Sequence, residues 1–238
     1  MNLGGPYFNP LSLSNSLNTE LDIELLDEGI YNIVNRYGFR GICLDLDRDI
    51  FHNKRNQVLI PAALKSLKDG YKSIGEDFFI CIASYFPDLR DDDKSLPYLA
   101  ELEGYYDLVC TKFYNRDNDH NGHWIDELGE FITENNHKQK ENFLYYTMDF
   151  LANGKRGYPK IPHDKLVMGL PATQDASPKG YVKDPSALLN ALERLKQSGT
   201  PIRGLAAHSI NWEVGEDKDG QPYSYEFMNR YKGIITPI

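Results

Sequence analysis

Short apolar runs alternate with amphipathic stretches along most of the chain. From Leu21 to Tyr37, apolar residues recur at Leu21, Leu25, Ile30, Ile33 and Val34, a helical spacing that Thr19 can cap and Gly38 can end. Gly41–Leu46 follows as a strand-length run rich in Ile and Leu. The pattern then predicts a helix over Val58–Lys68 with Pro61 near its first turn, and a strand over Phe78–Ser84. A short helix over Leu96–Glu103 and a strand over Asp107–Tyr114 come next. Gly122–Asn135 and Lys138–Asn153 read as helices, and Leu166–Pro171 as a strand. A helix over Pro185–Gln197, ended by Gly199, and a strand over Ile202–Ile210 complete the series.

Strands that are apolar almost throughout, separated by helical crossovers, predict a parallel sheet covered by helices. The glycine-rich phosphate loops of nucleotide binders are absent, since the sequence holds neither GxGxxG nor GxxxxGK[ST]. That favours a barrel over a doubly wound sheet. In such a barrel, polar residues at the C-terminal ends of strands are where chemistry is sought. These ends carry Asp45 and Asp47, then Ser84 and Tyr85, then Tyr114 and Asn115. Asp175 follows the next strand, and His208, Asn211 and Trp212 follow the last. Carboxylates, phenols, amides and an indole gathered at one mouth suit a sugar.

Composition adjusts this picture in three places. The 238 residues carry 35 acidic against 26 basic side chains, a net charge of -9 that argues against nucleic acid or an anionic membrane as partner. Sixteen tyrosines lean toward a ligand with flat apolar faces and hydroxyls. Cys43, Cys81 and Cys110 each sit inside an apolar run, which predicts three buried, reduced thiols, and no Cys or His spacing suggests a metal. No cofactor is expected. The first residues lack a basic segment followed by an apolar one, so the chain reads as cytoplasmic, with export by a non-standard route as the other reading.

Strand alternation places Cys43, Asp45 and Asp47 on one side. Two close carboxylates there would share a proton, as glycosidic bond cleavage requires. Equally, Asp45, Asp47, Arg48 and Asp49 could form a solvated, ion-paired loop. Spacing alone leaves both readings open.

The segment YGFRGICLDLD, Tyr37–Asp47, resembles the fourth strand of family 18 glycoside hydrolases, the chitinases, whose signature is D-G-x-D-x-D-x-E. FFICIASYFPD resembles their fifth strand, YYDLVCTKFYN the sixth and KLVMGLPATQD the seventh. GLAAHSINWE resembles the eighth, which usually ends in W-S-x-N-W-D, and Leu3-Gly4-Gly5 resembles the S-x-G-G that closes the third. The resemblance implies one (β/α)8 TIM barrel domain over residues 1–238, incomplete, without the first two strands and most of the third. A truncated reading frame, a second chain supplying the missing strands, or a different closure would each account for that. The last two predict a protein partner or self-association at the open barrel edge.

In this register Arg40 stands at the first Asp of the signature, Cys43 at the second, Asp45 at the third and Asp47 at the catalytic Glu. The resemblance implies that Asp47 would protonate the glycosidic oxygen. Asp45 would orient the substrate's own N-acetyl group, and Tyr114 would hydrogen-bond its oxygen. Asn115, Trp212, His208, Tyr85 and Asp175 are the candidate substrate contacts. Asp47 is one methylene shorter than Glu, and His208 stands where a tryptophan floor is usual. The expected function is therefore binding of chito-oligosaccharide or chitin, with hydrolysis weak or lost. The alternative is a non-enzymatic interaction subunit of a larger assembly.

Overall fold

The computed structural model describes residues 2–3, 20–46, 49–114 and 121–234. Asp47 and Asn115 lie outside these residues, as do Thr19, Gly4 and Gly5. The chain forms two compact units, Met1–Val109 and Cys110–Ile238.

In the first unit, β1 (Asn2–Leu3) pairs in parallel with β2 (Gly41–Asp45), and β2 pairs in parallel with β3 (Phe79–Tyr85). Helices α1 (Glu20–Tyr37) and α3 (Asn56–Ser73) flank the short α2 (Asp49–His52) in sequence, and α4 (Leu96–Glu101) follows β3. Only part of the apolar stripe read in the sequence is buried: Ile30 and Val34 of α1 join Ile60, Leu64 and Leu67 of α3 in the core, whereas Leu25 and Ile33 are exposed. Ile42, Leu44, Ile80 and Ile82 supply the strand side of that core. Pro61 is not in the first turn but is the sixth residue of α3, because helical bonding begins earlier, with Gln57 N–H donating to the Asn53 carbonyl at 3.1 Å.

Gly41 is required by its surroundings. Its φ is +156°, and a Cβ there would fall 2.1 Å from the Phe79 carbonyl oxygen. At the start of β3, the Asp107 N–H donates to the Ile80 carbonyl at 2.8 Å, and the Asp107 carboxylate accepts from the Ile80 N–H at 2.8 Å and from Lys68 Nζ at 2.5 Å. Beyond the end of β3, buried Ser84 and Ser95 share a 2.6 Å hydrogen bond, and Lys94 Nζ donates to Asp88 at 2.9 Å. That loop is therefore tied back on itself.

In the second unit, β7 (Leu166–Pro171) lies between β4 (Leu108–Lys112) and β8 (Gly204–His208). β7 and β8 are parallel, in register from Val167↔Gly204 to Pro171↔His208. Helices α5 (Lys140–Asn153) and α6 (Pro185–Gln197) pack together. Arg194 joins them, with its guanidinium 3.9 Å from the Tyr145 ring centroid and 2.9 Å from the Glu141 carboxylate. The start of α6 follows the capping rule, with Asp184 accepting from Ser186 N–H and Pro185 at the first position. Two short helices end the unit, α7 (Ile210–Val214) and α8 (Glu226–Tyr231).

One predicted helix is a hairpin. Gly122–Asn135 holds β5 (Gly122–Ile125) and β6 (Glu130–Thr133), paired antiparallel with Trp124 opposite Phe131. The reason is local. His123, Ile125 and Ile132 point inward while Trp124 and Phe131 point outward, a period of two. Gly129, at φ +64°, closes the turn as its N–H donates to the Ile125 carbonyl at 2.9 Å. A Cβ on Gly122 would lie 2.2 Å from the Ile132 carbonyl oxygen, so only glycine lets the two strands approach.

The three cysteines are also placed differently from expectation. Cys43, Cys81 and Cys110 are half-buried, not fully buried. Cys43 and Cys81 face away from the strand side that Ile42, Leu44, Ile80 and Ile82 fill. On β2 the residues alternate between buried Ile42 and Leu44 and half-buried Cys43 and Asp45.

Candidate functional site

The strand ends of the second unit gather several candidates. Tyr114 follows β4, and its ring stacks on His208, the last residue of β8, at 4.4 Å between centroids and 11° between planes. His208 is held at the end of β7, because Ala172 N–H donates to its carbonyl at 2.8 Å. The His208–Ser209 peptide is cis. The chain enters α7 immediately afterwards and carries Trp212. The half-buried indole of Trp212 lies 5.7 Å from the Tyr223 ring, tilted by 60°. The Tyr223 hydroxyl donates to Asp175 Oδ2 at 2.9 Å.

Tyr223 was not apparent from the sequence, because it lies in a polar stretch without period. Structure shows what it does: it backs Trp212 and holds the exposed carboxylate of Asp175. Desolvation, then the hydrogen bond to Asp175, push its phenol up to about 12, so it keeps its proton and remains a donor at neutral pH.

Glu213, the last residue of the HSINWE run, faces inward. It is buried, and its carboxylate accepts from the backbone N–H of Phe227 at 2.8 Å and of Met228 at 3.4 Å. A carboxylate on these N–H groups fastens the first turn of α8 to α7 and so fixes the segment bearing Trp212.

The first unit carries a separate group of candidates. Asp45 ends β2, half-buried, on the same face as Cys43. Its register partner on β3 is Ala83, the smallest side chain on that strand, which leaves room beside the carboxylate. Tyr85, two residues further along β3, is half-buried at the strand end. Thus Asp45 and Tyr85 sit at strand ends in one unit, and Tyr114, His208, Trp212 and Asp175 at strand ends or just beyond them in the other.

Two other polar residues of the second unit have structural roles. Asp149 is buried, accepting from Asn153 at 2.7 Å and pairing with Lys155 at 2.8 Å. His123 is buried on β5 against Phe143, Phe150 and Tyr158. Among the described residues no cluster of three His, Cys, Asp or Glu side chains is placed to hold a metal ion. None of the described helices is long and apolar enough to cross a membrane.

What this arrangement offers chemically is a set of flat rings with hydrogen-bonding groups at their edges. Rings stack on the apolar face of a sugar, while phenol, carboxylate and imidazole take its hydroxyls.

No protein-family model matches the chain. Among curated proteins, a chitinase of Enterococcus faecalis (strain ATCC 700802 / V583) is 41% identical over 202 residues, 85% of this chain. The chain spans 58% of the length of that relative. Among solved structures, a fungal endo-beta-N-acetylglucosaminidase from glycosyl hydrolase family 18 superposes with a TM-score of 0.61 at 17% identity, covering 97% of this chain and 70% of that one. A class V chitinase from Nicotiana tobaccum, solved in complex with NAG4, superposes with a TM-score of 0.56 at 13% identity, covering 89% of this chain and 76% of that one. The solved structures carry the barrel fold, and the curated relative carries the sequence relationship: over most of its length the chain is similar to a chitinase.

Proposed function

We propose that this protein binds chains of β-1,4-linked N-acetylglucosamine and hydrolyses them weakly or not at all. The reading is supported by 41% identity to a chitinase together with the resemblance of Tyr37–Asp47 to the fourth-strand signature, in which Asp47 stands where a Glu is usual. The groups that would hold the sugar are present. Tyr114 stacks on His208, and Trp212 and Asp175 are both braced by Tyr223. Asp45 would orient the N-acetyl group, whose carbonyl oxygen attacks the anomeric carbon, and Tyr114 would donate to that oxygen. Asn115 and Tyr85 complete the proposed contacts.

The acid is where the reaction suffers. Asp47 would have to deliver its proton to the leaving oxygen from a side chain shorter by one methylene. A misplacement of about 1 Å costs on the order of 100-fold in rate. At the last strand, the His208 imidazole offers less stacking area than an indole, which weakens the hold on the reacting sugar.

The test is one sample read twice. The full chain is mixed with a chito-oligosaccharide, binding is followed by calorimetry and products by chromatography. Saturable binding with little or no product is expected. Rapid cleavage would overturn the loss of activity, and absence of binding would overturn the sugar reading in favour of a non-enzymatic subunit.

A further inference from the structure

We propose that Trp124 and Phe131, on the outward face of the β5–β6 hairpin, form a second, flat binding platform for chains of β-1,4-linked N-acetylglucosamine. The inference rests on the reading that the protein binds such chains, and it adds a place where a long chain is held. The two residues are cross-strand partners, so their side chains leave the same face of the hairpin. Trp124 is 50% exposed and Phe131 51%, whereas His123, Ile125 and Ile132 on the other face are buried. Single exposed rings are ordinary, but two side by side on a fixed support make a surface.

The support is fixed at several points. His123 stacks on Phe143 at 6.1 Å between centroids and 14° between planes. Phe143 in turn meets Phe113 edge-on at 5.8 Å, and Phe113 is the residue before Tyr114. The hairpin is thereby fastened beside the end of β4 at which Tyr114 stacks on His208. Just after β6, the buried Lys140 ammonium donates to the Glu134 carbonyl, and Gln139 Nε2 donates to Glu130 at 2.8 Å. The indole is oriented as well, because Asp126 pairs with Arg156 and also takes the Trp124 N–H. Those hydrogen bonds, that of Arg156 foremost, hold the Asp126 carboxyl below its ordinary range. With the indole N–H committed to Asp126, its flat face is what remains for a ligand.

The polar residues between the two rings select the ligand. Asp126 and Glu127 are exposed and Glu130 is half-buried. A protein closing over the rings would strip water from these carboxylates, at a cost in free energy. A sugar lays its apolar face on a ring, leaves the carboxylates wet and offers them hydroxyl donors. The net charge of -9 opposes a nucleic acid and a second copy of the chain alike.

Adsorption of the full chain to insoluble chitin is compared with calorimetric binding of a short soluble chito-oligosaccharide, for the natural chain, Trp124→Ala, Trp124→Leu and Trp124→Phe. Adsorption should fall about ten-fold in Trp124→Ala and Trp124→Leu and return in Trp124→Phe, while affinity for the short sugar stays unchanged throughout. Cross-strand aromatic pairs also steady hairpins, and Trp124→Leu separates that role, since it keeps apolar bulk without a flat ring. Full adsorption by Trp124→Leu would overturn the platform. So would an equal fall in short-sugar affinity, which would make the rings part of one site or its support. A natural chain that binds the short sugar but not insoluble chitin would remove the platform and leave the sugar site standing. Binding of neither probe would overturn the sugar reading and the platform together. Unchanged adsorption, with a concentration-dependent mass in light scattering that Trp124→Ala abolishes, would assign the rings to contact between copies instead.

Discussion

Strands β2 and β7 each lie between two neighbouring strands, yet they are covered differently. Every residue of β7 is buried, whereas β2 is buried on one side and half-exposed at Cys43 and Asp45 on the other. Having neighbours on both edges therefore does not decide how a strand is covered; the side chains on each face do. In the second unit the strand ends are roofed by rings, Tyr114 on His208 and Trp212 beside Tyr223. In the first unit the corresponding face presents Cys43, Asp45, Cys81 and Ala83, all short. Cys43, a departure from the chitinase signature on this strand, falls on the face where a change of side chain disturbs little packing.

The widest separation between the two faces of β2 should appear in stability. Leu44 is fully buried and Cys43, next to it, is half-buried. Leu44→Ala is expected to lose about 3 kcal/mol through lost burial and the cavity left behind. Cys43→Ala should cost less than about 1 kcal/mol. Urea unfolding of both variants measures this, and equal losses would erase the distinction between the faces.

Next in size is the acid itself. If the loss of hydrolysis resides at one position of the first unit, Asp47→Glu should raise the rate of chito-oligosaccharide cleavage by about 100-fold, equivalent to about 2.7 kcal/mol of barrier. Asp47→Asn should remove whatever cleavage the natural chain retains. Chromatographic rates on the three proteins decide it. An unchanged rate in Asp47→Glu would place the deficit elsewhere, with Cys43 and His208 next in line.

The strands and most helices were legible because their periodicity is strong. β7 and α6 coincide with their predicted bounds, and Gly41 marks a position where backbone contact forbids any side chain. The hairpin was misread because Asp126, Glu127 and Leu128 look helical in isolation, while the turn at Gly129 and the inward His123 depend on packing against α5 and Tyr158. Among the candidate site residues, Asp45, Tyr85, Tyr114 and His208 are legible as positions at or just past strand ends. Trp212 and Asp175 came from the runs that follow strands. Tyr223 and Glu213 were not readable, since their roles rest on contacts with Asp175 and with the backbone of α8, which no local pattern announces.

The units also differ in how they hold an inward lysine. In the first, Lys68 reaches a carboxylate, Asp107. In the second, Lys140 is buried and its ammonium donates to the backbone carbonyl of Glu134. Burial holds that ammonium down at about 8, only partly opposed by the charge of Glu134. An ordinary lysine titrates near 10.4. Between these pH values the unfolded chain keeps a proton that the folded chain has released, so stability rises with pH across about 8 to 10. Below about 8 both states are charged, and the full cost of the buried charge is present. The stability of the natural chain relative to Lys140→Met is therefore expected to rise by about 2 kcal/mol between pH 7.5 and 9.5. Paired urea titrations read it, and a difference that stays flat would show that the charge is not carried into the interior.

The smallest expected effect bears on whether the second unit reads sugar by itself. Trp212 is half-buried and touches Tyr223, so its removal leaves the core of the unit intact. Trp212→Ala should keep its urea midpoint while losing about ten-fold in affinity for a chito-oligosaccharide, about 1.4 kcal/mol, the worth of one stacked ring. Trp212→Phe, which restores a flat face, should recover most of that loss. Tyr223→Phe keeps the ring beside Trp212 but removes the hydroxyl that holds Asp175, so its affinity should fall between the other two. Recovery by phenylalanine is what separates stacking from a merely structural role: a residue that only props up α7 would be rescued by volume, so leucine would serve as well. If Trp212→Leu binds as tightly as Trp212→Phe, the aromatic roof of the second unit is packing, and the comparison with the open acid strand loses its functional meaning.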